Sequence, residues 1–211
     1  MADKFSIKKI WCTEDAEKLI AYIARVSNPL HQDNPSYEKL LTYLVKHKHW
    51  SPFEMANLCV EVKTTRGIAA QILRHRSFSF QEFSQRYAKV TESPCMIQLR
   101  SPDPKNRQNS IDDIPEEKQK ELQILVKEAE DKAYETYNAL IENGVAKECA
   151  RFVLPLSSPT TLYMNGNLRS WIHYIQLRSA NGTQKEHADI AQAVFNQIFQ
   201  VEFPTIAKIM T

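Results

Sequence analysis

Apolar positions recur along most of this chain with a helical period. Over residues 14–27, Leu19, Ile20 and Ile23 share one side, while Glu14, Asp15 and Glu17 fall in a first turn where carboxylates complement the helix dipole, so a helix is predicted. Pro35 opens a second helix over 36–48, carrying Leu40, Leu41, Leu44 and Val45. Over 57–63 the period drops to two, with Leu58, Val60 and Val62 on one face, which predicts a strand. Thr65 then caps a helix running to about Arg76. The longest helical stripe covers 116–142, from Leu122 through Leu125, Val126, Ala129, Ala133, Tyr137 and Leu140 to Ile141, and Asn143-Gly144 stops it. A short helix to about Val153, a strand over 160–165 and helices over 167–178 and 184–200 follow. Residues 101–117 are polar, contain Pro102, Pro104 and Pro115, and read as a long surface loop. Helices dominate over two or three strands. The fold class is α/β with α+β character, a small sheet packed with long helices, and residues 1–211 are read as a single domain.

Composition narrows the chemistry. With 27 basic and 25 acidic residues the net charge is +2, which gives no global field for nucleic acid or membrane. No run of 18 apolar residues is long enough to span a bilayer, and the start Met-Ala-Asp-Lys-Phe-Ser lacks an apolar signal core, so a cytoplasmic protein is expected. The four cysteines, Cys12, Cys59, Cys95 and Cys149, form no CxxC pair and are expected as reduced thiols, with neither a disulfide framework nor a metal site. Only four glycines occur, Gly67, Gly144, Gly166 and Gly182, and none are clustered. That removes the glycine-rich phosphate loops, in which backbone N–H groups approach the phosphates closely. Any phosphate must then be held by side chains, and arginines are the obvious donors.

Three polar groups stand out. In the first, Gln71, Arg74 and His75 fall at i, i+3, i+4 of the helix predicted up to Arg76, and Glu82, Ser84 and Arg86 follow closely. A basic last turn would satisfy the dipole without further function, but the additional acceptor, hydroxyl and guanidinium make a set suited to a nucleotide. In the second, Leu168, Trp171, Ile172 and Ile175 form an apolar helix face, and Arg169, His173 and Gln176 lie on another. Arg178 falls at the apolar edge and Arg151 precedes the apolar run 152–156. Each must find an anion or carbonyl, or be a snorkelling stem or a buried ion pair, because an arginine does not shed its charge. The third group is His47-Lys48-His49-Trp50-Ser51-Pro52-Phe53-Glu54, whose two histidines would not share a helix face.

Arg74-His75-Arg76, seven residues, then Ser84 resembles the RHRx7S signature of the flavin-dependent thymidylate synthases. Ala24-Arg25-Val26-Ser27, the stretch His49 to Glu54, residues 151–156 and residues 167–178 resemble that family's other blocks, in its order and spacing. The resemblance implies reductive methylation of dUMP to dTMP, with methylenetetrahydrofolate as carbon donor, FAD as hydride carrier and NADPH as its reductant. It also implies the family's own fold and a homotetramer with shared sites. By resemblance, Ser51, Arg74, His75, Arg76, Glu82, Asn167, Leu168, Arg169 and His173 contact FAD, and His49 lies near flavin and folate. Gln71, Ile72, Leu73, Arg74, Glu82, Phe83, Ser84, Gln85, Arg86, Arg151 and Arg178 contact dUMP.

Within that frame Arg178 is the expected catalytic residue. A fixed guanidinium stabilises negative charge developing on the uracil N3 and carbonyl oxygens, and its role is electrostatic because arginine is a poor proton acceptor. Ser84 is expected to hydrogen-bond substrate; no triad that would make it a nucleophile is evident. Two positions depart from the family: Met55 and Gly182 stand where many members have histidine, and His187, five residues past Gly182, is given no role. Three alternatives stay open. A folate-dependent synthase with a cysteine nucleophile would have to use Pro94-Cys95-Met96, which lacks the usual histidine. A nucleic-acid-binding module would use the arginines with Phe78, Phe80, Phe83 and Tyr87. The last is an inactive homologue.

Overall fold

A computed structural model describes residues 5–211; the start Met1 to Lys4, on which part of the leader reading rests, lies outside the described residues. In chain order the elements are β1 (Ser6–Cys12), α1 (Ala16–Ala24), a 3-10 turn (Pro29–His31), α2 (Glu38–Lys46), a second 3-10 segment (Ser51–Met55), β2 (Asn57–Thr65), α3 (Arg66–Ile72), β3 (Ser79–Glu82), the two-residue strands β4 (Ser101–Pro102) and β5 (Ser110–Ile111), and α4 (Glu116–Glu142). Then come α5 (Lys147–Ala150), a 3-10 turn (Arg151–Val153), β6 (Pro159–Asn167), α6 (Leu168–Arg178), α7 (Lys185–Val194), a π-helical turn (Phe195–Phe199), α8 (Gln200–Glu202) and α9 (Pro204–Met210). The fold is mixed α/β, with one four-stranded sheet in the order β1-β2-β6-β3.

Several sequence expectations hold at their boundaries. Helix α4 covers 116–142 as its stripe predicts, with Gly144 at φ +81° beyond its end, a left-handed conformation that favours glycine. Asn167 caps α6, its Oδ1 accepting from the Ser170 N–H at 2.9 Å. Thr65 Oγ1 accepts from the Ile68 N–H at 3.3 Å and so caps α3.

Others are corrected. Helix α3 stops at Ile72, four residues short of Arg76, so Arg74 and His75 sit in turns and do not share a helix face with Gln71. The cause is tertiary: His75 and Phe78 are buried side chains, and the chain turns inward to place them before β3 begins. The sequence pattern gives no sign of the strands β1 and β3; both are edge strands, and β1 is largely exposed, so no apolar alternation marks it. The loop over 101–117 contains the antiparallel β4–β5 hairpin. The helix expected over 184–200 is α7, a π turn and α8, and Pro204 starts a further helix, α9. The stripe of α4 is buried only in part: Tyr137 is fully buried, whereas Leu125 is 58% exposed.

The chain groups into two compact units, each discontinuous in sequence. One is built mainly from Lys63–Ile72 and Glu82–Leu162. Its core joins Val90, Tyr137 and Ala150, with Tyr134, Leu140 and Ile141 from the C-terminal half of α4 packed against them. The Tyr137 hydroxyl accepts from the Val90 N–H at 3.1 Å. The other consists of Ile7–Val62, Leu73–Gln81 and Tyr163–Thr211. Its core holds Ile20, Leu41, Phe53, Leu58, Trp171, Tyr174, Phe199 and Phe203, all at most 1% exposed. Trp171 satisfies its buried indole N–H on the Leu58 carbonyl at 2.9 Å.

Candidate active site

The unit containing α6 carries a cleft of about 670 Å³. The apolar face of α6 is anchored by Leu168, Trp171, Ile172 and Ile175, all buried, so helical geometry turns Arg169, His173 and Gln176 outward together. All three line the cleft, as does the cap residue Asn167. Trp50 and Glu54 line it too, and Glu54 forms an ion pair with Arg169. Ser77 completes the polar rim. Nothing in the sequence pattern gives Trp50, Glu54 or Ser77 a role, although the first two lie inside the block His49 to Glu54.

The remaining residues expected at FAD fall less uniformly. Ser51, Arg74 and Arg76 are exposed, and Leu168 has a fully buried side chain, which leaves only its backbone for a ligand. His49 is exposed, its ring edge-on to Tyr43 at 5.7 Å. His75 points inward and is 9% exposed. Its Nε2 accepts the Arg178 Nε–H at 2.8 Å. The partner of the Arg178 Nε–H is thus a neutral imidazole, which the sequence reading did not name for it. Burial, reinforced by the Arg178 charge and then by His173, lowers the His75 pKa to about 4, so the ring presents a lone pair to the arginine at neutral pH.

Behind His75 lie more rings. Tyr174 meets it edge-on at 4.9 Å and Phe78 at 6.4 Å, while His187, fully buried, stands at 6.2 Å. The His187 Nε2 and the Tyr174 hydroxyl are 3.1 Å apart. Burial lowers the His187 pKa to about 3 and raises that of Tyr174, so both stay uncharged.

The other unit holds most residues expected at dUMP. Glu82 accepts from Arg66 Nη1 at 2.5 Å and from Thr160 Oγ1 at 2.9 Å, so it is engaged on two sides; Arg66 was not foreseen. The Phe83 N–H donates to the Thr161 carbonyl at 2.9 Å. Ser84 is exposed, and its carbonyl accepts from the N–H groups of Tyr87 and Ala88 at 3.0 Å. Arg86 pairs with Glu148 at 3.1 Å, and Arg151 lies over the Phe152 ring at 5.7 Å. Ile72 is fully buried, so its backbone alone can meet a ligand. Gln85 is 5% exposed, and its Nε2 has no hydrogen-bond partner among the described residues. A buried amide donor without an acceptor is costly, and a ligand oxygen would satisfy it.

Comparison with known proteins places these observations in context. The profile of a family described as "Thymidylate synthase complementing protein" matches residues 10–205. A protein named "Probable flavin-dependent thymidylate synthase" from Paramecium bursaria Chlorella virus 1 is 58% identical over 194 residues, covering 92% of this chain and 89% of that protein. A flavin-dependent thymidylate synthase of Synechocystis sp. is 51% identical over 191 residues, covering 90% and 87%. Among solved structures, the UMP/dUMP methylase PolB from Streptomyces cacaoi, bound with 5-Br dUMP, shares the fold with a TM-score of 0.86 at 23% identity, covering 97% of this chain and 94% of that one.

Proposed function

This chain belongs to the flavin-dependent thymidylate synthase family, and from that premise we propose that it converts dUMP to dTMP by reductive methylation. The uracil C5–H is replaced by a methyl group, with the carbon from methylenetetrahydrofolate and reducing equivalents from NADPH. A bound FAD would supply the hydride chemistry that no side chain can provide. The whole chain acts as one synthase domain, a reading supported by the family profile, which runs through both units, and it acts in the cytoplasm.

The observation that carries the reading is the convergence of Asn167, Arg169, His173 and Trp50 on one cleft of about 670 Å³. Its donor set fits a flavin nucleotide: a guanidinium, an imidazole and an amide for a polar chain, and an indole plane for a ring. A chain with four unclustered glycines has to use such side chains. Arg74 and Arg76, exposed in adjacent turns, add cations for the cofactor's phosphates, with Ser51, His75, Glu82 and Leu168 as further contacts and His49 toward the folate.

For dUMP, the guanidinium forks of Arg86 and Arg151 suit the phosphate. Arg86 exchanges its partner Glu148 at little cost, because exposed ion pairs contribute only about 0–1 kcal/mol. Gln71, Arg74, Glu82, Ser84 and the orphaned Gln85 amide orient the nucleotide, with backbone contributions from Ile72, Leu73 and Phe83. Arg178 faces the uracil carbonyls and stabilises the negative charge that makes C5 nucleophilic. Exposed apolar side chains, Ile124 and Leu125 on α4 and Phe152 and Leu156 after α5, support a homotetramer in which they are covered.

The test is the visible spectrum of the purified protein before and after adding FAD and then dUMP. A flavin band that shifts on dUMP addition, followed by dTMP formation once NADPH and methylenetetrahydrofolate are supplied, is expected. No flavin retained from excess FAD would overturn the reading.

A further inference from the structure

We infer that Tyr174 and His187 are positioning residues for Arg178, acting through His75, whose ring plane they and Phe78 hold so that its Nε2 meets the arginine Nε–H. The inference rests on the reading that Arg178 acts on the substrate. The lone pair of an imidazole nitrogen lies in the ring plane, so whatever fixes that plane fixes the direction from which a donor can approach. Three rings stand nearly perpendicular to His75: Tyr174 at 79°, Phe78 at 82° and His187 at 88°. They come from separate chain segments: α6, the turn before β3, and α7. Tyr174 is the nearest, with ring centroids 4.9 Å apart, and His187 holds Tyr174 in turn through the 3.1 Å contact with its hydroxyl.

The polar atoms of this cluster are more than packing requires. Filling the same space with leucine and phenylalanine would avoid burying two imidazoles and a phenol, groups that cost free energy when removed from water. Here the Tyr174 hydroxyl and the His187 Nε2 bond one another, and the His75 Nε2 lone pair is taken by the arginine. Tyr174 also lies one helical turn before Arg178 on α6, so the hydroxyl that orders His187 and the guanidinium that His75 receives share one rigid element. An arginine side chain carries four rotatable bonds to its fork. Anchoring Nε restrains that stem and uses one of five donors, so the terminal nitrogens can face a carbonyl oxygen in a set orientation.

The experiment compares Tyr174→Phe, His187→Leu and His187→Gln with the wild type in the dUMP, methylenetetrahydrofolate, FAD and NADPH assay. Tyr174→Phe and His187→Leu should lower kcat about tenfold to a hundredfold, the scale on which a misplaced group acts, with KM for dUMP within about twofold. His187→Gln, which can still bond the Tyr174 hydroxyl, should recover most of the loss. In an Arg178→Ala background none of the three should lower residual turnover further. Independently of turnover, 15N spectra should show one slowly exchanging arginine Nε–H that is absent in Arg178→Ala and loses protection in Tyr174→Phe and His187→Leu. Unchanged protection in both variants, or losses of the same size in the Arg178→Ala background, would overturn the inference. Loss of protection in a protein that forms no dTMP would instead sink the synthase reading and leave the positioning intact. Should His187→Leu fail to fold, Tyr174→Phe, which keeps the ring, decides.

Discussion

The ring of Phe78 occupies the space that a side chain at Gly166 would need: a Cβ built there would meet Phe78 Cδ1 at 2.5 Å and Cε1 at 2.7 Å. Gly166 is buried in β6, and Phe78 is one of the rings that hold His75. A methyl group at 166 therefore has to move a ring, not a flexible chain end. Gly166→Ala should destabilise the protein by about 1–3 kcal/mol, the usual scale of overpacking, read as a lower urea midpoint at unchanged slope. Adding Phe78→Leu should recover part of that loss. A midpoint equal to the wild type would show that Phe78 has room to yield.

Arg178→Ala should lower kcat by at least about a hundredfold, as expected when a group that stabilises developing charge is deleted. The flavin band should persist, because Arg178 is not among the residues that line the cleft around Asn167 and Arg169. Turnover near wild type would remove Arg178 from the mechanism.

His75 and His187 give stability a pH dependence of definite sign. Both are neutral when folded, with pKa values lowered to about 4 and about 3, and return to an ordinary value near 6.5 on unfolding. Between those values the unfolded chain binds more protons, so stability is complete above about pH 7 and falls as pH drops from 6.5 toward 4. Urea midpoints of the wild type and His187→Gln across this range should show a shallower acid loss in the variant. Identical slopes would mean that His187 does not titrate as its burial implies.

Cys95 is the thiol that a cysteine mechanism would need. Burial, then Glu92 and Glu130, push its pKa up, so thiolate is scarce at neutral pH. Cys95→Ala should leave dTMP formation largely intact, and a folded but inactive variant would reopen that mechanism. Ser84→Ala should likewise keep measurable turnover, since the exposed serine has no base beside it among the described contacts. Complete loss with dUMP binding intact would make it a nucleophile.

Local patterns carried a good deal of this architecture. Helix α4 was legible because its apolar period persists from Leu122 to Ile141 and Asn143-Gly144 punctuates it. The outward grouping of Arg169, His173 and Gln176 follows from the apolar positions that bury the opposite side of α6, and the cap at Asn167 is a property of four adjacent residues. The arginine-rich, glycine-poor character, and with it the use of side chains to hold phosphates, is a matter of composition.

What no local window contains is the partner of a residue a hundred positions away. His75 lies in a turn, not at a helix end, because it bonds Arg178 and packs on Tyr174 and His187 from later helices. The same holds for Glu82, drawn to Arg66 and Thr160, and for the edge strands β1 and β3, which exist through pairing and not through any periodicity of their own. His187, to which the sequence alone assigned nothing, is fully buried beside Tyr174. Periodicity, caps and composition are read over a few residues, and so they specify elements and their faces. Burial and hydrogen-bond partnership depend on which faces meet, and that is settled only when distant segments pack.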